Sequence, residues 1–187
     1  KKVISYREKF KQFQSIKQKR LHKEFGGKLR PYQKAGYDWL NFLNEFQFNG
    51  CLADDMGLGK TIQTLALLQR EYSNGTVKPS LIVVPTSIVF NWLNEASRFA
   101  PTLEFYNHTG LQRLKSLDEI NGKEIIITTY GVLRRDIKTL KNVEFHYVIL
   151  DESQNIKNPA SQNTKAVKLL QAHHRLALTG TPVENNL

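Results

Sequence analysis

Five short runs, Cys51 to Ala53, Leu81 to Val84, Ile125 to Thr128, Val148 to Leu150 and Leu176 to Leu178, are apolar almost from end to end, and helix-length segments separate them. A strand with one wet face alternates apolar and polar residues. A run apolar throughout is the mark of a strand covered on both faces. The intervening stretches at 60–72, 87–99, 131–141 and 161–173 read as helices, with Pro85, Pro101 and Pro159 as punctuation. A further helix is expected over 31–46, where Tyr32, Ala35, Trp39, Leu40, Phe42, Leu43 and Phe46 make a broad apolar face and Pro31 opens the first turn. The expected fold is therefore α/β, a three-layer α/β/α domain with a mainly parallel central sheet. Its 187 residues suit one such core. Ligands of open parallel sheets sit at the carboxyl ends of the strands, so the residues following each apolar run become the candidates for chemistry.

The first run leads into Asp54-Asp55-Met56-Gly57-Leu58-Gly59-Lys60-Thr61, after which the helical pattern begins at Ile62. Glycines allow a tight turn with inward N–H groups, a lysine reaches β- and γ-phosphates, and a hydroxyl at a helix start can ligate Mg²⁺. The general pattern has a glycine where Asp54 stands, so this loop departs from it at its first position. The fourth run ends directly in Asp151 and Glu152. One carboxylate there suits a metal, and its neighbour suits the orientation or deprotonation of an attacking water. Thr179 to Pro182 follow the fifth run, so three segments converge on one expected site.

The single cysteine, Cys51, argues against disulfides and a structural zinc site. No run approaches the ~18 apolar residues of a membrane span, and the charged N-terminus has no apolar leader core; the expectation is an intracellular protein without a membrane partner. The net charge of +10 is local: residues 1–28 hold ten of the 27 Lys and Arg against Glu8 and Glu24, leaving +2 for the remaining positions. Ile4, Phe10, Phe13, Ile16 and Leu21 recur at helix-compatible spacings within that stretch and Gly26-Gly27 closes it, so a basic helical extension over 1–28 is expected. Such a helix tracks a phosphate backbone, leans on an acidic protein partner, or docks its apolar stripe on the main domain.

Taken in order, Leu29-Arg30-Pro31-Tyr32-Gln33, Asp54 to Thr61, Val84-Pro85-Thr86-Ser87, Thr128-Thr129-Tyr130-Gly131, Asp151 to Asn158 and Leu178-Thr179-Gly180-Thr181-Pro182 resemble the first-lobe motifs of superfamily 2 helicase-like ATPases, most closely the Swi/Snf family of double-stranded DNA translocases. The resemblance covers residues 29–187. It implies a RecA-like lobe using ATP and Mg²⁺. In that likeness Arg30 and Gln33 face the adenine, and Asp55, Met56, Gly57, Leu58, Gly59, Lys60 and Thr61 hold the phosphates. Thr61 and Asp151 hold the metal, directly or through water, and Glu152 activates the hydrolytic water. Thr86, Ser87, Thr129, Tyr130 and Gly131 fall where the family meets the DNA backbone, although each hydroxyl alone would be an ordinary helix cap. Gln154, Thr179 and Thr181 match positions that couple nucleotide state to lobe movement. Trp92 and Tyr106 are candidates for base stacking, but Trp92 lies among Val89, Leu93 and Ala96 at helical spacing, which suits a core residue.

The family likeness also implies a second lobe after the first, whose arginines stabilise charge on the γ-phosphate, an effect of ~10³ to 10⁵ in rate where dissected. The residues end soon after the Thr-Gly-Thr-Pro segment, at Asn185-Asn186-Leu187, so the expectation is a fragment that hydrolyses ATP only when paired with that lobe. Two alternatives remain open in the residues themselves: an RNA or restriction-type helicase lobe, and a nucleotide-binding switch without nucleic acid.

Overall fold

All five apolar runs become strands of one parallel sheet in the computed structural model, which describes residues 15–111 and 113–180. The elements are α1 (Pro31–Glu45), β1 (Gly50–Leu52), α2 (Lys60–Ser73), β2 (Ser80–Val84), α3 (Val89–Phe99), β3 (Phe105–Asn107), α4 (Leu117–Asn121), β4 (Ile125–Thr129), α5 (Tyr130–Leu140), β5 (Glu144–Leu150), α6 (Gln162–Leu169) and β6 (Gln171–Leu178), with 3₁₀ turns at Thr86–Ile88 and Ser153–Ile156. Strand order is β1-β6-β5-β2-β4-β3, every pair parallel.

Every residue of β2 and β4 is buried, as strands in the middle of a parallel sheet must be. Their side chains divide by the period of two. Ile82, Val84, Ile125 and Ile127 join Tyr37 and Leu40 of α1, Leu65, Leu67 and Leu68 of α2, and Trp92 and Ala96 of α3. Leu81, Val83 and Ile126 face the other way, onto Ile120 of α4, Leu133 and Leu140 of α5, and Ala166 and Val167 of α6. Three helices thus cover each face, the three-layer sandwich that the sequence implies. α2 packs between α1 and α3, and all eight residues from Ile62 to Gln69 are buried. Burying each of its leucines is worth roughly 1.5–3 kcal/mol, so the start of α2, which carries Lys60 and Thr61, cannot shift without uncovering several such side chains.

Two expectations are corrected, and one strand is added to those expected. The helix expected to run to residue 173 ends at Leu169, because Leu170 is already extended (φ −67°, ψ 145°) and residues from Gln171 pair with β5 from Glu144 onward. The polar sequence Gln-Ala-His-His-Arg masks a strand whose inward positions are His174, Leu176 and Leu178. The three-residue edge strand β3, Phe-Tyr-Asn, is too short to stand out as an apolar run, and pairing with β4 makes it a strand. Finally, the basic extension is not helical over residues 15–28; its part over residues 1–14 lies outside the described residues. The described part lies against the domain: Phe25 is buried and stacks near Phe99 at 6.3 Å, and the Lys19 amide donates to Asp38 at 2.8 Å. The Gly26 amide donates to the Phe99 carbonyl at 2.8 Å. Residues 15–28 therefore pack as part of the same domain. Among the described residues no helix is long and apolar enough to cross a membrane.

Candidate functional site

Because every strand is parallel, the chain leaves β1, β2, β4, β5 and β6 at one edge of the sheet. Adjacent ends are tied there: the Thr179 amide donates to the Leu52 carbonyl (3.1 Å) and the Asp151 amide to the Val83 carbonyl (2.9 Å). At this edge Met56, Gly57, Gly59, Lys60, Thr61, Glu95, Asp151 and Glu152 line a cavity of about 220 Å³. The lysine, the threonine and the acidic pair, separated by ninety residues in sequence, thus face one hollow.

The loop's shape follows from a few contacts. Gly59 is the residue before α2 and has φ 81°, ψ 47°, a left-handed conformation that side chains resist. A β-carbon there would also stand 2.5 Å from Gln33 Nε2, so glycine is required twice over. Asp54, which breaks the general pattern, accepts from Gln63 Nε2 at 3.0 Å; the same nitrogen donates to the Gly59 carbonyl at 3.2 Å. A fully buried amide on α2 therefore clamps both ends of the loop. The Lys60 ammonium donates to the carbonyls of Asp54 (2.8 Å) and Asp55 (3.1 Å), where it lines the hollow at the start of α2. The first N–H groups of any helix lack intrahelical partners and attract anions.

Across the cavity, Asp151 is held at both oxygens. Oδ1 accepts from the Glu152 amide (2.8 Å) and Oδ2 from Trp92 Nε1 (2.8 Å), while the Tyr130 hydroxyl donates to the Asp151 carbonyl (2.7 Å). Burial pushes the Asp151 carboxyl above the usual carboxylate range, opposed by the hydrogen bonds from Trp92 and Glu152. Burial, and then the charge of Asp151, push Glu95 up likewise. Glu152 has φ 48°, a conformation that costs a non-glycine residue of order 1–3 kcal/mol and persists only where neighbours fix it. Its carboxylate accepts from Gln154 Nε2, and Gln154 Oε1 accepts from the Thr179 hydroxyl at 3.3 Å. A hydrogen-bonded line therefore joins the end of β6 to Glu152.

Beside this hollow lies a second one of about 400 Å³, lined by Gly57, Arg30, Tyr32, Gln33, Lys28, Arg98 and Phe99 among others. Gly57 borders both. Gln33 is buried; its Oε1 accepts from the Arg30 amide (2.9 Å) and its Nε2 donates to the Leu58 carbonyl (3.0 Å). Since the amide can only donate and the carbonyl can only accept, the orientation of the Gln33 side chain is fixed. Its second N–H points to the Tyr32 hydroxyl at 3.4 Å, so Oε1 retains capacity for one more hydrogen bond while Nε2 has a partner for each of its hydrogens.

The remaining candidates divide. Thr86 and Ser87 are exposed in the turn after β2. Thr129 is buried and its hydroxyl caps α5 by accepting from the Val132 amide at 3.3 Å, the ordinary capping role. Tyr130 corrects the expectation of a surface contact: it is buried, with its hydroxyl on the Asp151 carbonyl. Gly131 is half-buried in the first turn of α5. Thr181 lies outside the described residues. Sequence reasoning missed Trp92 as a partner of Asp151, Glu95 and Arg98 as cavity walls, and Gln63 as the clamp. The spacing Trp92, Glu95, Arg98 along one helix face was the available signal.

Among the described residues no group of three or more His, Cys, Asp or Glu is arranged to hold a metal ion. Mg²⁺ takes one or two carboxylates together with phosphate oxygens and waters. Around this hollow stand a cation, Lys60, a hydroxyl at a helix start, Thr61, and the carboxylates of Glu95, Asp151 and Glu152, groups that suit a magnesium triphosphate.

The family described as the SNF2-related domain matches residues 32–187. The "Putative ATP-dependent helicase/translocase YwqA" of Bacillus subtilis is 42% identical over 93% of the chain and 19% of its own length. The "TATA-binding protein-associated factor mot1" of Schizosaccharomyces pombe is 39% identical over 85% of the chain and 9% of its own length. The chain thus spans about a fifth or less of these curated relatives. Among solved structures, the "Sulfolobus solfataricus SWI2/SNF2 ATPase core in complex with dsDNA" superposes with TM-score 0.83 at 44% identity, over 91% of this chain and 35% of that one.

Proposed function

This chain belongs to the SNF2-related domain family, and from that membership we propose that it is the ATP-binding first lobe of a Swi/Snf-type translocase acting on double-stranded DNA. The observation that carries the reading is the single hollow shared by Lys60, Thr61, Asp151 and Glu152. The similar core solved with dsDNA supports the choice of polynucleotide.

Bound magnesium would neutralise charge between the β- and γ-phosphates. For that, Thr61 and Asp151 are the residues to hold it, the latter aimed by the two hydrogen bonds on its oxygens. The backbone of Gly57 to Thr61 cradles the phosphates, and Lys60 leaves its loop carbonyls for their oxygens, a stronger partner for an ammonium than a neutral carbonyl. Glu152 takes the proton of the attacking water, with Gln154 fixing the carboxylate. In the adjoining hollow Gln33 offers its remaining acceptor position, and the N–H that the long Tyr32 contact at 3.4 Å can release, to the edge of adenine, beside Arg30. Gln154 and Thr179, with Thr181, carry the state of the site towards a second lobe. Thr86 and Ser87, with the backbone at Gly131, meet DNA phosphates, contacts that position a duplex without reading its sequence.

The test is ATP hydrolysis by the full-length protein with duplex DNA, single strands or RNA. Duplex DNA is expected to stimulate most, and its binding to weaken linearly in log affinity against log salt. No stimulation and no salt-dependent DNA binding would reject the translocase and leave a nucleotide-operated switch; stimulation by RNA alone would replace the substrate class.

A further inference from the structure

We propose that Trp92 is a positioning residue for the metal at this site, acting through Asp151. The inference rests on the reading of the hollow as a magnesium-nucleotide site and adds a residue to it from outside the loop and the acidic pair.

A carboxylate at the end of a strand can rotate about its last torsion, which is broad for aspartate. Here it cannot. One oxygen of Asp151 is fixed by the amide of Glu152 at 2.8 Å and the other by Trp92 Nε1 at 2.8 Å. The amide bond is made within two consecutive residues and moves with the strand end. The indole bond is the one that refers the carboxylate to another element, α3, and so sets its angle relative to the rest of the domain. The indole is itself immobile: Trp92 is 1% exposed and sits in the core cluster with Ala96 and Val84. A buried indole N–H needs an acceptor, and Trp92 finds it in a side chain that lines the hollow rather than in a backbone carbonyl of the core. The oxygens' remaining lone pairs are thereby aimed by a rigid donor, the arrangement in which partners of metal ligands govern affinity. On the same helix Glu95, one turn on, borders the same hollow, so α3 is a wall of the site and not only its support.

The experiment replaces Trp92 in the full-length protein by benzothienylalanine, which keeps the ring's shape and lacks the N–H donor, and by phenylalanine. Mn²⁺ affinity is measured by electron paramagnetic resonance in the presence of a saturating non-hydrolysable ATP analogue. The affinity of that analogue without metal, in EDTA, is measured in parallel. The expected result is a loss of Mn²⁺ affinity of about 10- to 100-fold in both variants, with the metal-free nucleotide affinity of the benzothienylalanine protein unchanged and its melting temperature lowered only as far as the loss of one buried hydrogen bond lowers it. Unchanged Mn²⁺ affinity in the benzothienylalanine protein would overturn the proposal. So would an equal loss with and without metal, which marks a packing role. A wild-type protein whose nucleotide binding ignores Mn²⁺ would instead remove the reading of the site on which the proposal stands.

Discussion

Replacing Glu152 by glutamine in the full-length protein is expected to leave Mg-ATP binding intact and to lower the hydrolytic rate by about 10²- to 10⁴-fold, the range that a positioned general base contributes. Glutamine keeps the size and the left-handed backbone of the site without adding strain. That backbone is held by the Glu152 carbonyl, which accepts from the Asn155 amide (3.0 Å) and from Asn155 Nδ2 (2.8 Å). Gln154 Nε2 can still donate to the amide oxygen that replaces a carboxylate oxygen, so the line to Thr179 survives. What is lost is the capacity to take a proton. Steady-state turnover and equilibrium nucleotide binding, measured on the same preparation, separate the two properties. A variant that hydrolyses at the original rate would show that the base lies elsewhere.

Gly36→Val is expected to destabilise the protein by on the order of 3 kcal/mol, from overpacking together with disruption of a buried amide. A β-carbon at position 36 would stand 1.9 Å from Gln63 Oε1. Gln63 is fully buried, and its other amide atom clamps Asp54 and Gly59. The collision therefore cannot be relieved by swinging the side chain away without releasing the phosphate loop. Denaturant unfolding should show the lowered midpoint, and ATP affinity should fall with it. Because the two residues share one contact, Gly36→Val and Gln63→Ala should be strongly non-additive in a double-mutant cycle. An unchanged midpoint, or simple additivity, would mean that the α1/α2 packing is softer than the contact implies.

The fold and the centre of the site were legible for the same reason: fully apolar strands and a glycine-rich turn carry their constraint in consecutive residues. Leu81 to Val84 and Ile125 to Thr128 need no partner to be recognised. His173, His174 and Arg175 do, because their strand is made by pairing with β5, which no local pattern records. The Lys60 loop and the Asp151-Glu152 strand end were visible as separate segments, and their convergence follows from parallel topology. What escaped was long-range and private to this packing. Trp92 reads as a core residue, and it is one; only the fold shows its N–H on Asp151 across fifty-nine positions. Asp54 reads as a broken pattern until Gln63 is seen to hold it. Residues 15–28 read as a helix from apolar spacing, yet Phe25 and Leu21 pack on the domain from a chain without helical turns, because anchoring by single residues leaves the same sparse spacing.

The central claim is that Lys60, Thr61, Asp151 and Glu152 enclose one magnesium-nucleotide site. Its most direct test is a crystal of the protein grown with Mn²⁺ and a non-hydrolysable ATP analogue, with the metal located by anomalous scattering. The account predicts an anomalous peak in the hollow between Thr61 and Asp151, the triphosphate along Gly57 to Thr61 with Lys60 on it, and the base beside Gln33. A nucleotide bound at another face of the sheet, or a manganese peak away from Asp151, would contradict it.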